Sequence, residues 1–423
     1  MKQKIVFLML LAAALVFLTA CWSSHETDEL GYIILLGIDK GERNIVNVTF
    51  QLAIPQPIEG GDAEKASEVI SVEAPSLFAA LELADSFISK HLTFIHNKAI
   101  IVSEEIAREG LDRYINPLVR SREVRRTNFL MVTQGKASEL IQANKTLVFE
   151  RYPSRQIDIF MAASRTTGLL PHADIHRFYE GLNSPGSQPI AALIGMEKKS
   201  PEKEKEDELK QQEQNSKEKV EQGLAYLPGE IPRKGGNEIE IIGLAAFRED
   251  KLIGYLNGKE TRFYQLLTGN FVRGSITFPD PDPKEAGSNI IVAEIIQGRK
   301  PEVTIDLRQQ KMKIRLFLEG EILSIQSGEN YEQGRLRRQL EDYVSRTISR
   351  EATRLIRKTQ EEFRADIFGF GENTRTDFLT WQDWIEYDWL SKYPQFEVSV
   401  ETEFHVRRTG MMMRTAPSEQ KEG

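Results

Sequence analysis

Cysteine is all but missing from this chain: Cys21 stands alone among 423 residues, which excludes an intramolecular disulfide framework. Long apolar runs are scarce as well. The run from Ile5 to Leu18 covers about 21 Å at helical rise, short of the roughly 30 Å of a bilayer's hydrocarbon core. Positive charge is in deficit: 55 Lys and Arg face 63 Asp and Glu, for a net charge of −8. That balance disfavours nucleic acid and anionic lipid headgroups as partners. Catalytic signatures are missing too. No Gly-x-Ser-x-Gly occurs, and the Ser200-Pro201-Glu202-Lys203 match to Ser-x-x-Lys lies in a charged stretch where no pocket could desolvate the lysine. "FGFGEN" around Gly369 and Gly371 lacks the third glycine and the preceding strand of a phosphate loop. His172 and His176 have helical metal spacing, but Pro171 precedes them and no Glu stands between them, and two ligands do not make a site. The sequence therefore points to no catalytic residue, metal or cofactor, and an enzyme is not expected.

The beginning of the chain carries the strongest signal. Lys2 and Lys4 form a positive segment ahead of the apolar run, which ends in Leu18-Thr19-Ala20-Cys21. This pattern resembles a bacterial lipoprotein lipobox, with cleavage between Ala20 and Cys21. Small residues let a peptidase approach the backbone, and the Cys21 thiol accepts a diacylglyceryl group as a thioether, with N-acylation after cleavage. The alternative is an uncleaved anchor, lengthened through Thr19, Ala20 and Trp22. Either reading places the remaining chain outside the cytoplasm, on the outer face of the cell membrane. Removal of residues 1–20 takes away two lysines and no acid, so the charge moves from −8 to −10.

About 400 residues exceed what one core usually supports, so two or three domains are expected. The first, 21–196, reads as mixed strands and helices. "GYIILLGIDKG" and "NIVNVTFQLAIP" form a hairpin, and "ASEVISVEA" runs into the helix "LFAALELADSFISK", with Leu77, Leu81, Ala84 and Ile88 on one face. Strand-then-helix recurs in "NKAIIVSEEIAREG", with Ser103 as N-cap and Gly110 at the exit, and in "RTNFLMVTQGKASELI". Residues 197–222 hold only Leu209 and Val220 as large apolar groups and read as a charged spacer. A strand-rich middle domain is expected at 223–300, with a hairpin at Arg248-Glu249-Asp250-Lys251, a hairpin-type turn at Asn257-Gly258 and a helix from about Lys259. A C-terminal α+β domain, 301–410, carries an amphipathic helix from Tyr331 to about Arg364 that packs on its own domain's sheet. A frayed tail, 411–423, follows.

With these segments laid out, a resemblance becomes visible. "CWSSHETDELGYIILLGIDKG" resembles the start of mature C subunits of spore germination receptors, the Ger(x)C lipoproteins, through Cys21, Trp22, Glu26, Leu30, Gly37, Ile38 and Asp39. "HNKAIIVSEEIAREGL", "GKASELI", "GLAAFREDKLIGYLNGKETR", "LLTG", "DIFGFGE" and "VRRTG" are similar to the family too, in family order from 21 to about 410. Departures are Ser23-Ser24-His25, where charged residues are more usual, and the long charged spacer. The resemblance implies three α/β domains, no known catalytic activity, and action with membrane-embedded A and B subunits in the spore inner membrane to trigger germination by nutrients. A direct small-molecule ligand stays open. A solute-binding lipoprotein of an ABC transporter is the alternative, and an anchored wall hydrolase a third. From the residues, Gly37-Ile38-Asp39, Gly369 and Gly371 are expected in tight turns.

Overall fold

The computed structural model describes residues 3–5, 29–53, 67–144, 153–197, 223–281 and 289–408. Cys21, Trp22, spacer residues 198–222 and the tail from 409 lie outside the described residues.

Two sheets organise the described residues. In the first, the apolar segments β1 (Leu30–Lys40) and β2 (Val46–Ala53) pair antiparallel as the hairpin reading expects, and β3 (Ser67–Ala74) extends them. Beyond β1 come β5 (Ala99–Ser103), β6 (Phe129–Thr133) and β7 (Ile190–Met196), all parallel to it, then β8 (Ile239–Arg248) and β9 (Lys251–Leu256), antiparallel. The short β4 (His91–Thr93) runs parallel beside the start of β1. Parallel neighbours require crossovers, so the strand-then-helix rhythm of the sequence becomes helices on both faces. One face is covered by α1 (Leu77–Asp85), α2 (Glu104–Glu109), α3 (Asp112–Arg120) and α6 (Ile175–Asn183), around Phe50, Phe94, Ile115 and Phe178. The other is covered by α4 (Ala137–Ala143) and α5 (Pro153–Thr167), around Met131, Ile141 and Met161.

In the second sheet the order is β10 (Arg273–Pro279), β11 (Ile290–Ile296), β13 (Lys311–Ile325), β12 (Glu302–Asp306), and β14 (Glu397–Arg408) lies parallel to β13. Along β13, Met312, Ile314, Leu316 and Leu318 are buried while Lys311, Lys313 and Arg315 face solvent, the period of two of a half-buried strand. Between β13 and β14 runs α8 (Gly334–Lys358), whose Leu340, Val344, Ile348, Ala352, Leu355 and Ile356 form the buried stripe. It packs along β14, its own sheet, as expected: Glu341 accepts from the Val406 amide at 2.9 Å and Ser349 bonds Thr402 at 3.0 Å. A π turn, Thr359–Phe363, ends it, tied down by Gln360 Nε2 donating to the carbonyls of Tyr393 and Phe396 at 3.0 and 2.9 Å. The stretch 223–300 contributes to both sheets, β8 and β9 to the first and β10 and β11 to the second.

Some local expectations give way. Gly37-Ile38-Asp39 is not a turn but the interior of β1. A Cβ on Gly37 would lie 2.8 Å from Ile141 Cδ1, so the glycine lets α4 lie close on the strand. Asp39 is buried and caps that helix, accepting from the amides of Ala137 and Ser138 at 2.7 and 2.9 Å. Asn257-Gly258 is not a hairpin turn either. Asn257 caps α7 (Gly258–Thr268) in a reciprocal box: its side chain accepts from the Glu260 amide at 2.9 Å while the Glu260 carboxylate accepts from the Asn257 amide at 3.0 Å. Helix α1 stops at Asp85, before Ile88, with Ser86 as its C-cap, and the Asp85 side chain accepts from the Leu92 amide at 3.0 Å. Ser103 stands at the N-cap of α2 without a side-chain bond.

Candidate functional site

The segment Asp366 to Glu372 shows how a functional joint is built from ordinary residue types. Asp366 is fully buried, and both carboxylate oxygens are occupied. Oδ1 accepts from the amides of Phe368 and Gly369 at 3.1 and 3.0 Å; Oδ2 accepts from the Gly371 amide at 3.0 Å and Trp389 Nε1 at 2.8 Å. Burial pushes its pKa up to about 6, against the opposing pull of those donors. Gly369 takes the left-handed conformation, φ 74°, as the turn reading expects. Gly371 serves close approach instead: a Cβ there would lie 2.3 Å from Trp389 Cδ1 and 2.6 Å from the Gly186 carbonyl oxygen.

The partner of this turn is the loop that leads into β7. The Gln188 amide donates to the Asp366 carbonyl at 2.8 Å, Ser184 Oγ bonds Glu372, and the Gln188 side chain accepts from the Glu249 amide. Arg248, at the end of β8, donates to the Phe363 carbonyl at 2.6 Å, and Gly254 of β9 leaves room for the Phe363 ring. The first sheet thus meets the segment between α8 and β14 through backbone bonds and glycine contacts. Beside this junction lies a cleft of 530 Å³, lined among others by Arg177, Gln188, Gln265, Asn270, Phe368 and Trp381. Phe368 stacks between Tyr264 and Phe370, with centroids 5.7 and 4.9 Å away. On the rim, Trp381 is half exposed, with the Arg375 guanidinium 4.8 Å from its ring centroid. Among the cleft's polar residues the uncharged ones outnumber Arg177, Glu180 and Glu372, and Arg177 is already bonded to the His172 carbonyl at 3.0 Å. With its lone pairs taken by four donors, Asp366 holds a turn and does not serve as a base.

The histidines do not converge. His172 Nε2 lies 3.5 Å from Asp174, and His176, on α6, lies 3.3 Å from Glu180. Among the described residues no group of three or more His, Cys, Asp or Glu could hold a metal ion, nor is any helix long and apolar enough to cross a membrane. Cys21, the lipidation candidate, and the Ser200–Lys203 match lie outside them. Asp366 went unrecognised in the sequence although its block was visible. The signal available was an aspartate three residues before a glycine, the spacing at which a carboxylate can accept from the turn's own amides.

Comparison with known proteins places this architecture. Residues 23–196 match the family profile described as spore germination protein N-terminal domain. Residues 242–410 match the one described as spore germination B3/GerAC like, C-terminal. Spore germination protein GerQC of Bacillus cereus is 22% identical, over 97% of this chain and 99% of its own length. Spore germination proteins KC and B3 of Bacillus subtilis are each 21% identical, over 97% of this chain and 97% and 98% of theirs. The crystal structure of the GerBC protein aligns with a TM-score of 0.49 at 15% identity, over 88% of this chain and 96% of that one. Matched in order by both halves of the family's architecture, the mixed α/β chain belongs to the Ger(x)C family of spore germination proteins.

Proposed function

We propose that this chain is the lipid-anchored, non-enzymatic C subunit of a nutrient germinant receptor, acting with membrane-embedded A and B subunits at the outer face of the spore's inner membrane. The observation that carries the reading is the ordered match of both family profiles, supported by relatives named as germination proteins that align along nearly the whole chain. The lipobox-like Leu18-Thr19-Ala20-Cys21 supports the anchor. The Asp366 turn fits a subunit that keeps two sheets in fixed register while its surfaces meet partners. A solute-binding lipoprotein is not favoured: such proteins pair two similar lobes around a ligand cleft, and the two sheets here differ in strand order.

Deletion of the gene is expected to abolish germination by one set of nutrients while leaving germination by a nutrient-independent trigger intact, measured as loss of spore refractility. Normal nutrient germination across the full set would contradict the receptor role.

A further inference from the structure

The chain enters the first sheet beside a surface of unusual composition. The Glu29 carbonyl accepts from the His91 amide at 2.8 Å, and Leu30 pairs with His91, so β1 begins against β4. Cys21 lies eight residues upstream of Glu29, within about 28 Å of extended chain. Around this point three large apolar side chains stand in solvent: Phe87 at 63%, Leu83 at 45% and Ile95 at 43% exposure. Asp85 draws Phe87 towards β4 by bonding His91 Nδ1 at 2.8 Å and the Leu92 amide at 3.0 Å.

The loop after α3 brings positive charge to the same place. In "RSREVRR", Arg120, Arg122, Arg125 and Arg126 are all exposed. Glu123, the acid among them, is exposed too, but its carboxylate accepts from Thr93 Oγ1 at 3.1 Å and the Phe94 amide at 3.3 Å, which fixes the loop beside Ile95. Arg120 and Phe78 share a shallow pocket that joins the loop to α1. Some arginines elsewhere are paired, as Arg108 is with Glu104, Arg337 with Glu341 and Arg407 with Glu319. These four make no ion pair among the described residues. Glu29 and Glu82 are further exposed acids on the segments that frame this face, so its arginines outnumber these acids and Glu123 by four to three.

We propose that this face, carrying Leu83, Phe87 and Ile95 with Arg120, Arg122, Arg125 and Arg126, rests directly on the anionic surface of the lipid bilayer as a second membrane contact. The placement rests on the anchor reading above, because the tether from Cys21 is what brings this end of the sheet to the membrane. The apolar side chains enter the boundary between headgroups and acyl chains, and each arginine near anionic headgroups strengthens binding roughly fivefold. The overall charge of −8 disfavours anionic headgroups as partners, but a net charge averages over the whole surface, and screening within about 10 Å leaves the local patch in control. The contact turns a floating lipoprotein into one held with its parallel strand starts towards the bilayer.

The test uses the unlipidated mature chain with Cys21→Ser, sedimented with vesicles of phosphatidylcholine alone or mixed with phosphatidylglycerol. The parent binds the anionic vesicles selectively, and replacing all four arginines by glutamine lowers affinity by at least roughly tenfold. Phe87→Trp adds fluorescence quenched by brominated lipid, a gain of signal that a misfolded variant would not show. Equal binding of parent and arginine variant, or an unquenched Phe87→Trp, overturns the proposal. So does loss of receptor-subunit capture with vesicle binding unchanged, which assigns the face to a protein partner. The anchor reading is tested separately by the mass of the N-terminal peptide from spores.

Discussion

Replacing Cys21 by alanine is expected to move the protein from the spore membrane fraction almost entirely into the soluble fraction, and to remove the nutrient response that depends on it. The physical basis is arithmetic on acyl chains. Each buried methylene contributes about 0.8 kcal/mol, so one chain holds a protein only marginally while two or three on one cysteine hold it durably. Alanine offers no thiol, hence no thioether, and no chain. The electrostatic share of whatever remains through the arginine face is washed off at high salt, where screening shortens to about 3 Å, and its three apolar side chains alone hold the protein only weakly. Fractionation followed by immunoblotting in low and high salt reads both effects. Salt-resistant membrane retention of the Cys21→Ala protein would mean that residues 1–20 stay attached as an uncleaved anchor.

The second large effect concerns Asp366. Alanine there leaves the amides of Phe368, Gly369 and Gly371 and the Trp389 indole without their acceptor in a fully buried site. Each orphaned donor costs about 1–3 kcal/mol, and because neighbours are not additive the expected loss is on the order of 4 kcal/mol, read as a lower midpoint of denaturant unfolding. Asp366→Asn tests the charge separately. The folded pKa of about 6 lies above the ordinary 3.8, so the native state holds this proton more tightly than the unfolded chain does. Stability from this group is therefore fully present below about pH 4 and is lost as pH rises through about 6, by roughly 3 kcal/mol in all. Across that window the parent should lose about that much stability relative to Asp366→Asn, which does not titrate. A difference that stays constant with pH would show that the buried carboxylate does not titrate there.

What the sequence made legible were features whose cause is local. The alternation in "QKMKIRLFLEGEILSIQ" produced β13, and the 3.6-residue stripe from Leu340 to Ile356 produced α8, because each is set by which face meets a core. What stayed hidden depends on partners far along the chain. Gly37-Ile38-Asp39 has turn-forming residues, yet the glycine answers to Ile141 and the aspartate to the amide of Ala137, 98 residues away. Asn257-Gly258 carries the same dipeptide signal as a hairpin, and only Glu260 three residues on, completing a capping box, separates the two meanings. The Asp366 turn was visible as a glycine pattern, but its work lies in Trp389 and Gly186, brought together by the fold. The arginines of "RSREVRR" disappear in a net negative charge until Glu123 folds the loop onto β4.

The measurement that bears most directly on the central claim is affinity capture of the tagged, detergent-solubilised protein from dormant spores, with mass spectrometry of its partners and of its N-terminal peptide. The account predicts two co-purifying integral membrane subunits and a peptide that begins at acylated Cys21. Recovery of an ABC permease in their place would contradict it and would assign the chain to solute capture.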